Sequence, residues 1–208
     1  MLKHLYSLRD EWFAYLDGLW GPHTVNRFAS ADNCQPLGAP HTGRFCSQYF
    51  HPDAEWTDAH SLPWAPAWGG ENNWAFPPVH LVGSAVTHIR ACAVSVTLIF
   101  PWAPWASWWP SLCERGGWAR GIVGATPLGP PSRVLDVSAR DLRLLGSGPM
   151  IAVRFGDYVA LEETRRREAL RGASAGGAIA TAEAPRPVRP SHDRRSHAAA
   201  RASGRPQR

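Results

Sequence analysis

Two short loops of this sequence carry residue types that could do chemistry. In the first, His41, Cys46 and His51 stand five residues apart and could offer nitrogen and sulfur ligands to a metal ion. Zinc sites usually contain a more closely spaced ligand pair, so the spacing favours loop side chains without a metal. In the second, Asp58 and His60 offer an acid and a base without an accompanying nucleophile. We expect Asp58 to cap a turn; the alternative is the acid of a ligand crevice.

The four cysteines indicate the compartment rather than a reaction. They form no C-x-x-C pair, and neither Cys34 nor Cys113 has neighbours that would activate a thiolate. Reduced thiols are typical of intracellular proteins, so we expect the nucleus or cytoplasm. The N-terminus lacks the apolar region of a signal peptide, which predicts a protein that is not secreted.

A third candidate is the segment Asn73-Trp74-Ala75-Phe76-Pro77-Pro78. Residues 74–76 read as the end of a strand, and the prolines must stop its ladder because they lack an N–H group. Ligands of parallel sheets bind at the carboxyl ends of strands, so we expect the loops after Ala29, Phe76 and Phe100 to share one crevice. Phe76 either packs in the core or stacks on a nucleic-acid base.

The surrounding pattern predicts an α/β fold. Its predicted helices cover residues 7–20 and 79–92, and its predicted strands cover residues 23–29, 44–50, 74–76, 94–100 and 150–155. This order predicts a mostly parallel sheet with flanking helices and irregular, aromatic-rich loops. Residues 91–113 carry no charge, but Pro101, Pro104 and Pro110 interrupt them, which favours a strand and turn over a membrane span.

Composition divides the chain of 208 residues into four parts. We expect an N-terminal helix over residues 1–20, an α/β core over 21–118, an irregular extension with a last strand over 119–161, and a tail over 162–208. The tail holds 11 Arg and 5 acidic residues and almost no large apolar side chains. Such a segment cannot offset its ordering entropy, so we expect a disordered basic tail. It could bind phosphates, or it could be a solvated terminus.

Several short motifs resemble one family when they are taken in order. They are Gly21-Pro22-His23-Thr24-Val25-Asn26-Arg27-Phe28-Ala29-Ser30, Asn33, Gln35, Ser47, Asp58-Ala59, Trp64, Glu71-Asn72-Asn73-Trp74, Pro77-Pro78 and Pro101-Trp102. This order resembles a segment of DIRS-type, tyrosine-recombinase-related retrotransposon polyproteins, downstream of reverse transcriptase and RNase H. That segment is similar to a Dam-like adenine-N6 DNA methyltransferase domain. The resemblance covers about residues 8–113.

The resemblance implies a Rossmann-type, methyltransferase-like fold with a degenerate catalytic loop. Family members place an Asp or Asn before Pro-Pro, where its side chain accepts the amino hydrogens of a flipped adenine. Phe76 stands at that position here and has no acceptor, so Phe76, Pro77 and Pro78 form the degenerate loop. Asn73 carries a nearby amide, three residues upstream.

The resemblance also implies S-adenosylmethionine as the cofactor. Its expected neighbours are Asn26, Phe28 and Ala29 on the early strand, with Asp58 as the crevice acid. The family usually carries an acid where this chain has Asn26, which weakens the cofactor side as well. No metal is implied.

The resulting expectation is a retrotransposon-derived fragment with weak or no methyl transfer. DNA or RNA is the expected partner, together with reverse transcriptase and RNase H domains of the same polyprotein, and no membrane. Two alternatives stay open: a non-enzymatic nucleic-acid-binding module of a retroelement, and a non-functional translated remnant.

Overall fold

A seven-stranded mixed sheet with a helix on each face forms the centre of the protein. The computed structural model describes residues 6–35, 43–64, 71–137, 142, 145 and 148–156. The strands are β1 Tyr6–Leu8, β2 Val25–Ala29, β3 Phe45–Ser47, β4 Trp56–Thr57, β5 Asn73–Ala75, β6 Val96–Pro101, β7 Cys113–Glu114, β8 Gly117–Trp118, β9 Ile122–Gly129, β10 Leu135–Val137 and β11 Met150–Phe155. The helices are α1 Asp10–Trp20, α2 Val82–Cys92 and α3 Pro131–Val134.

The strand order of the large sheet is β4-β3-β2-β5-β6-β11-β9. The first five of these strands are parallel, and β11 runs antiparallel to both of its neighbours. The chain order reverses between β2 and β5, so this pair is the switch point at which sheets of this kind open a crevice. The expected α/β class with a mostly parallel sheet is confirmed, and the antiparallel strand β11 makes the sheet mixed.

The central strands are buried on both faces because a helix covers each side. On one side, α2 packs its apolar face against β6 and β11, with Leu98, Phe100 and Val153 at the centre. On the other side, α1 contributes Phe13 and Leu16 to a second core. Alternate residues of a strand point to opposite faces, which explains why β6 is buried along its whole length and is apolar apart from Thr97.

The first helix begins later than the sequence pattern suggests. It starts at Asp10, because Tyr6–Leu8 forms a strand that pairs antiparallel with β10. The Arg9 side chain also reaches that region and donates from Nε to the Leu135 carbonyl at 3.3 Å. The strand partner of residues 6–8 lies more than a hundred residues away in the chain and leaves no local sequence pattern. Helical periodicity alone therefore predicts a helix that starts too early, at residue 7.

The region expected to be an irregular extension belongs to the main sheet. Strand β9 spans eight residues at the sheet edge and pairs with β11, which is inserted between β6 and β9. The α/β core therefore continues to Phe155 instead of ending near residue 118. The last strand lies at the predicted residues, Met150–Phe155. Residues 162–208, the predicted tail, lie outside the described residues.

Among the described residues, no helix combines the length and the apolar character that a membrane crossing requires.

Candidate functional crevice

The loops at the carboxyl ends of the parallel strands surround one small pocket. It lies among the loops that follow β2, β3 and β4 and the 3-10 turn Val79–Leu81 that follows β5. Its free volume is about 30 Å³, room for about one water molecule. The lining residues are Arg27, Phe28, Ala29, Cys46, Gln48, Asp58, Ala59, His60 and Leu81. The expected cofactor neighbours Phe28, Ala29 and Asp58 thus meet at one place.

Phe76 points away from this pocket and into the core. Its side chain is 7% exposed and belongs to the α1-side core with Trp74 and Ile99. Strand alternation places Trp74 and Phe76 on one face. Pro77 is buried as well, whereas Pro78 is half-buried and precedes the 3-10 turn. The geometry therefore matches the expectation that Phe76 packs in the core, and its ring is not available for stacking on a base.

Asn73 is fully buried, and both ends of its amide are occupied. Its Oδ1 accepts a hydrogen bond from Arg27 Nε at 2.7 Å, and its Nδ2 donates to the Ser95 carbonyl at 3.0 Å. It sits at the first residue of β5, whereas the pocket lies beyond the strand's far end. Asn73 thus connects neighbouring strands and does not supply the hydrogen-bond acceptor that Phe76 lacks.

Asn26 is also buried and does not line the pocket described above. Its Oδ1 accepts the backbone N–H of Phe28 at 3.3 Å, where the pairing of β2 with β3 shifts register. Such a shift leaves a residue outside the ladder, and the amide oxygen satisfies its N–H group. Asn26 therefore shapes the strand that carries Phe28 and Ala29 to the pocket.

Asp58 follows β4 directly and builds the turn that the sequence suggests. Its backbone adopts a left-handed conformation with φ of 59°, and its N–H donates to the Ser47 carbonyl at 2.7 Å. Its Oδ1 accepts the backbone N–H of His60 at 3.0 Å, which is the hydrogen bond of an Asx turn. Asp58 also lines the pocket. The residue therefore both caps a turn and lies at the crevice, the two alternatives that the sequence offers.

His60 connects the pocket to an aromatic cluster beneath it. Its ring lies 5.4 Å from Phe28 and 5.5 Å from His88, and Trp64 lies 5.1 Å from His88. Trp64 Nε1 donates to the Ala59 carbonyl at 2.5 Å, which fixes the indole under the turn. Burial lowers the pKa of His88, so its ring is neutral at pH 7.

A charged network lies beside the pocket, and its residues are far apart in the sequence. Arg27 is buried and pairs with Glu71, which also accepts from Arg44 Nη2 at 2.7 Å. Arg44 in turn holds Glu55 with two bonds of 2.6 and 2.8 Å. The Arg27 guanidinium also lies over the Trp56 ring at 5.3 Å. The only sequence signal is Arg27, which lies next to Asn26 in a short strand whose other residues are apolar. A buried Arg in such a strand requires a partner because buried charges are paired.

The cysteines of this region do not offer thiolates. Burial raises the pKa of the Cys34 thiol to about 11 and also raises the pKa of Cys46 and Cys113. Within the described part of the chain, no three His, Cys, Asp or Glu side chains are grouped to hold a metal ion. His41, one of the three spaced candidates, lies outside the described residues.

Exposed aromatic side chains lie in the loops at the same carboxyl-terminal end of the parallel strands. Phe50 is 86% exposed and lies three residues after β3, and Trp105 is 77% exposed and lies four residues after β6. Tyr49 is also exposed. Strands β3 and β6 are three places apart in the sheet, a separation of about 14 Å at the usual strand spacing. We call Tyr49, Phe50 and Trp105 the aromatic rim.

Comparison with known proteins adds no assignment: no protein-family model matches the chain, and no curated protein matches it.

Proposed function

We propose that this protein is a retrotransposon-derived domain with a methyltransferase-like scaffold that does not transfer methyl groups efficiently. The observation that carries the proposal is the direction of Phe76. It stands before the proline pair at the carboxyl end of β5, and its side chain is buried in the core. In the resembling family, the residue at this position would offer an acceptor to a flipped adenine. Here Phe76 occupies the position and packs in the core instead.

The strand order supports the scaffold part of this proposal. The five parallel strands follow one another in the chain as β2, β3, β4, β5 and β6. Numbered 1 to 5 in that order, they are arranged 3-2-1-4-5 in the sheet, which is the Rossmann-type order with its switch point between β2 and β5. The antiparallel strand beside the fifth is similar to the arrangement in S-adenosylmethionine-dependent methyltransferases. This support is a fold-level analogy, and folds of this class host many activities.

The chemistry supports the catalytic part. Transfer to adenine N6 requires acceptors that hold the amino hydrogens and direct the nitrogen lone pair toward the methyl group. Phe76 offers no acceptor, and the amide of Asn73 is already engaged by Arg27 and by the Ser95 carbonyl. Neither residue can polarise the amine without rearrangement of β5.

The pocket does not fit S-adenosylmethionine as it stands. Sites for molecules of this size enclose about 300–1,000 Å³, whereas the free volume here is about 30 Å³. We therefore expect cofactor binding to be weak at best.

The proposal is tested by titrating S-adenosylmethionine into the full chain in a calorimeter and by following labelled methyl transfer to duplex DNA. An intact Dam-type enzyme is the positive control. We expect little or no heat and no transfer above the background without protein. Methyl transfer by the folded, unmodified chain would contradict the proposal.

A second function, non-enzymatic nucleic-acid binding, is favoured by the aromatic rim. Exposed rings can stack on successive bases of a single strand without any reaction. The rim residues Phe50 and Trp105 follow the carboxyl ends of two parallel strands, the end of the sheet at which ligands bind. The test is binding of the full chain to a labelled single-stranded oligonucleotide at several salt concentrations, with the matching duplex as comparison. Equal binding to both forms would argue against stacking by the rim.

A further inference from the structure

We infer that His23 is a proton-sensitive lock between helix α1 and the central sheet, holding the helix in neutral solution and releasing it in acid. The lock consists of Asp17, His23, Thr97 and Arg154. It lies in the core on the α1 side of the sheet, and its residues do not line the crevice pocket. The inference therefore does not depend on the proposed function.

A continuous chain of hydrogen bonds carries the inference. His23 Nδ1 lies 2.6 Å from Asp17 Oδ1, on α1, and His23 Nε2 lies 2.7 Å from Thr97 Oγ1, on β6. The backbone N–H of His23 donates to the same Asp17 oxygen at 2.8 Å. One imidazole thus connects the last turns of the helix to the middle of the sheet.

Arg154 fits a neutral imidazole in this chain of hydrogen bonds. Its Nη1 donates to Thr97 Oγ1 at 3.2 Å and to Asn72 Oδ1 at 2.5 Å. A guanidinium can only donate, so Thr97 Oγ1 accepts from Arg154 and keeps its own O–H for donation to His23 Nε2. With Nε2 as the acceptor, Nδ1 carries the proton that Asp17 receives, and the ring is neutral.

A second proton on His23 would place a buried positive charge near the Arg154 guanidinium and would remove the acceptor at Nε2. The side chain is fully buried, between the rings of Phe13 on α1 and Trp74 on β5 at 6.3 and 5.0 Å. The charged groups that face it are Asp17 from α1 and Arg154 from β11. Burial lowers the pKa of His23 to about 4, assisted by the charge of Arg154 and opposed by Asp17. The structure thus favours the neutral ring despite its carboxylate partner.

The difference between the pKa of His23 in the folded chain and in the unfolded chain sets the sign of the pH dependence. The ordinary pKa of His23 is 6.5, so the unfolded chain binds the proton at a higher pH than the folded chain. The stabilisation is complete above pH 6.5 and is lost as the pH falls toward 4. At pH 4.5 the folding equilibrium constant should be lower by on the order of 100-fold because of this residue alone.

The test compares the full chain with the variant His23→Gln, whose side chain donates and accepts but does not titrate. Denaturant unfolding is measured at pH 7 and pH 4.5, and hydrogen exchange of α1 amides is compared with that of β6 amides. We expect the unmodified chain to lose on the order of 100-fold more in folding equilibrium than the variant does, with exchange accelerating in α1 first. Equal losses in both proteins would overturn the inference.

A direct titration keeps the inference testable if the variant does not fold. The His23 ring signals of the unmodified, folded chain are followed by nuclear magnetic resonance from pH 7.5 to pH 4. We expect no protonation above pH 5. Titration near pH 6.5 while α1 remains protected from exchange would contradict the lock.

Discussion

Arg27 and Asn73 are joined directly across the two central parallel strands, with Arg27 Nε 2.7 Å from Asn73 Oδ1. These strands, β2 and β5, are the pair at which the chain order reverses. The bond therefore links two neighbouring strands through residues that are 46 positions apart in the chain. It also holds the guanidinium that pairs with Glu71.

The first prediction concerns this bond. Asn73→Ala removes the acceptor of a buried guanidinium and the donor to Ser95, so we expect a loss of about 2–4 kcal/mol in the free energy of unfolding. Urea denaturation measures it. Glu55→Gln is the matched control, because it weakens the more exposed pair with Arg44 and should cost under about 1 kcal/mol. Similar losses in both variants would show that Asn73 has no special role.

The second prediction concerns the degenerate loop. Phe76→Asn restores the amide that the resembling family uses, but it places a polar group in the α1-side core. We expect a loss of about 3–5 kcal/mol, against about 1 kcal/mol for Phe76→Leu. Thermal and urea unfolding distinguish the two. A stable Phe76→Asn protein would indicate that the loop can turn outward, and methyl transfer should then be assayed in it.

The third prediction uses a pair of glycines in and after α1. A Cβ on Gly21 would meet the backbone carbonyl oxygen of Asp17 well inside van der Waals contact, whereas a Cβ on Gly18 would meet nothing within 4 Å. Gly21→Ala should therefore destabilise the protein by more than about 2 kcal/mol. Gly18→Ala should stabilise it by about 0.5–1 kcal/mol, because alanine favours helix interiors. Circular dichroism during thermal unfolding measures both, and the opposite order would contradict the close approach at Gly21.

The sequence predicts the strands whose residues are almost all apolar. Strand β11 occupies the predicted residues, and β6 lies within two residues of its predicted bounds, because continuous apolar runs are typical of strands buried on both faces. Strand β9 lacks a recognisable strand pattern because Gly124, Pro127 and Gly129 interrupt it. Its position depends on pairing with β11, which no local signal reveals.

The candidate site was predictable only in part, for a similar reason. Phe28, Ala29 and Asp58 lie at strand ends, so topology alone brings them to one pocket. The burial of Asn73 depends on Arg27, 46 residues earlier, and no periodicity encodes that contact. The inward direction of Phe76 could have been inferred, since it shares a strand face with the buried Trp74.

The last prediction concerns the aromatic rim. If single strands stack there, Phe50→Ala and Trp105→Ala should each weaken oligonucleotide binding by about tenfold, since one stacked base contributes about 1–3 kcal/mol. Fluorescence anisotropy of a labelled oligonucleotide measures the dissociation constant. Tyr15→Ala is the matched control, because Tyr15 is 49% exposed but lies on α1, away from the rim. Unchanged affinity in both rim variants would remove the rim as a binding surface, and any remaining salt-dependent affinity would then be assigned to the basic residues of the chain.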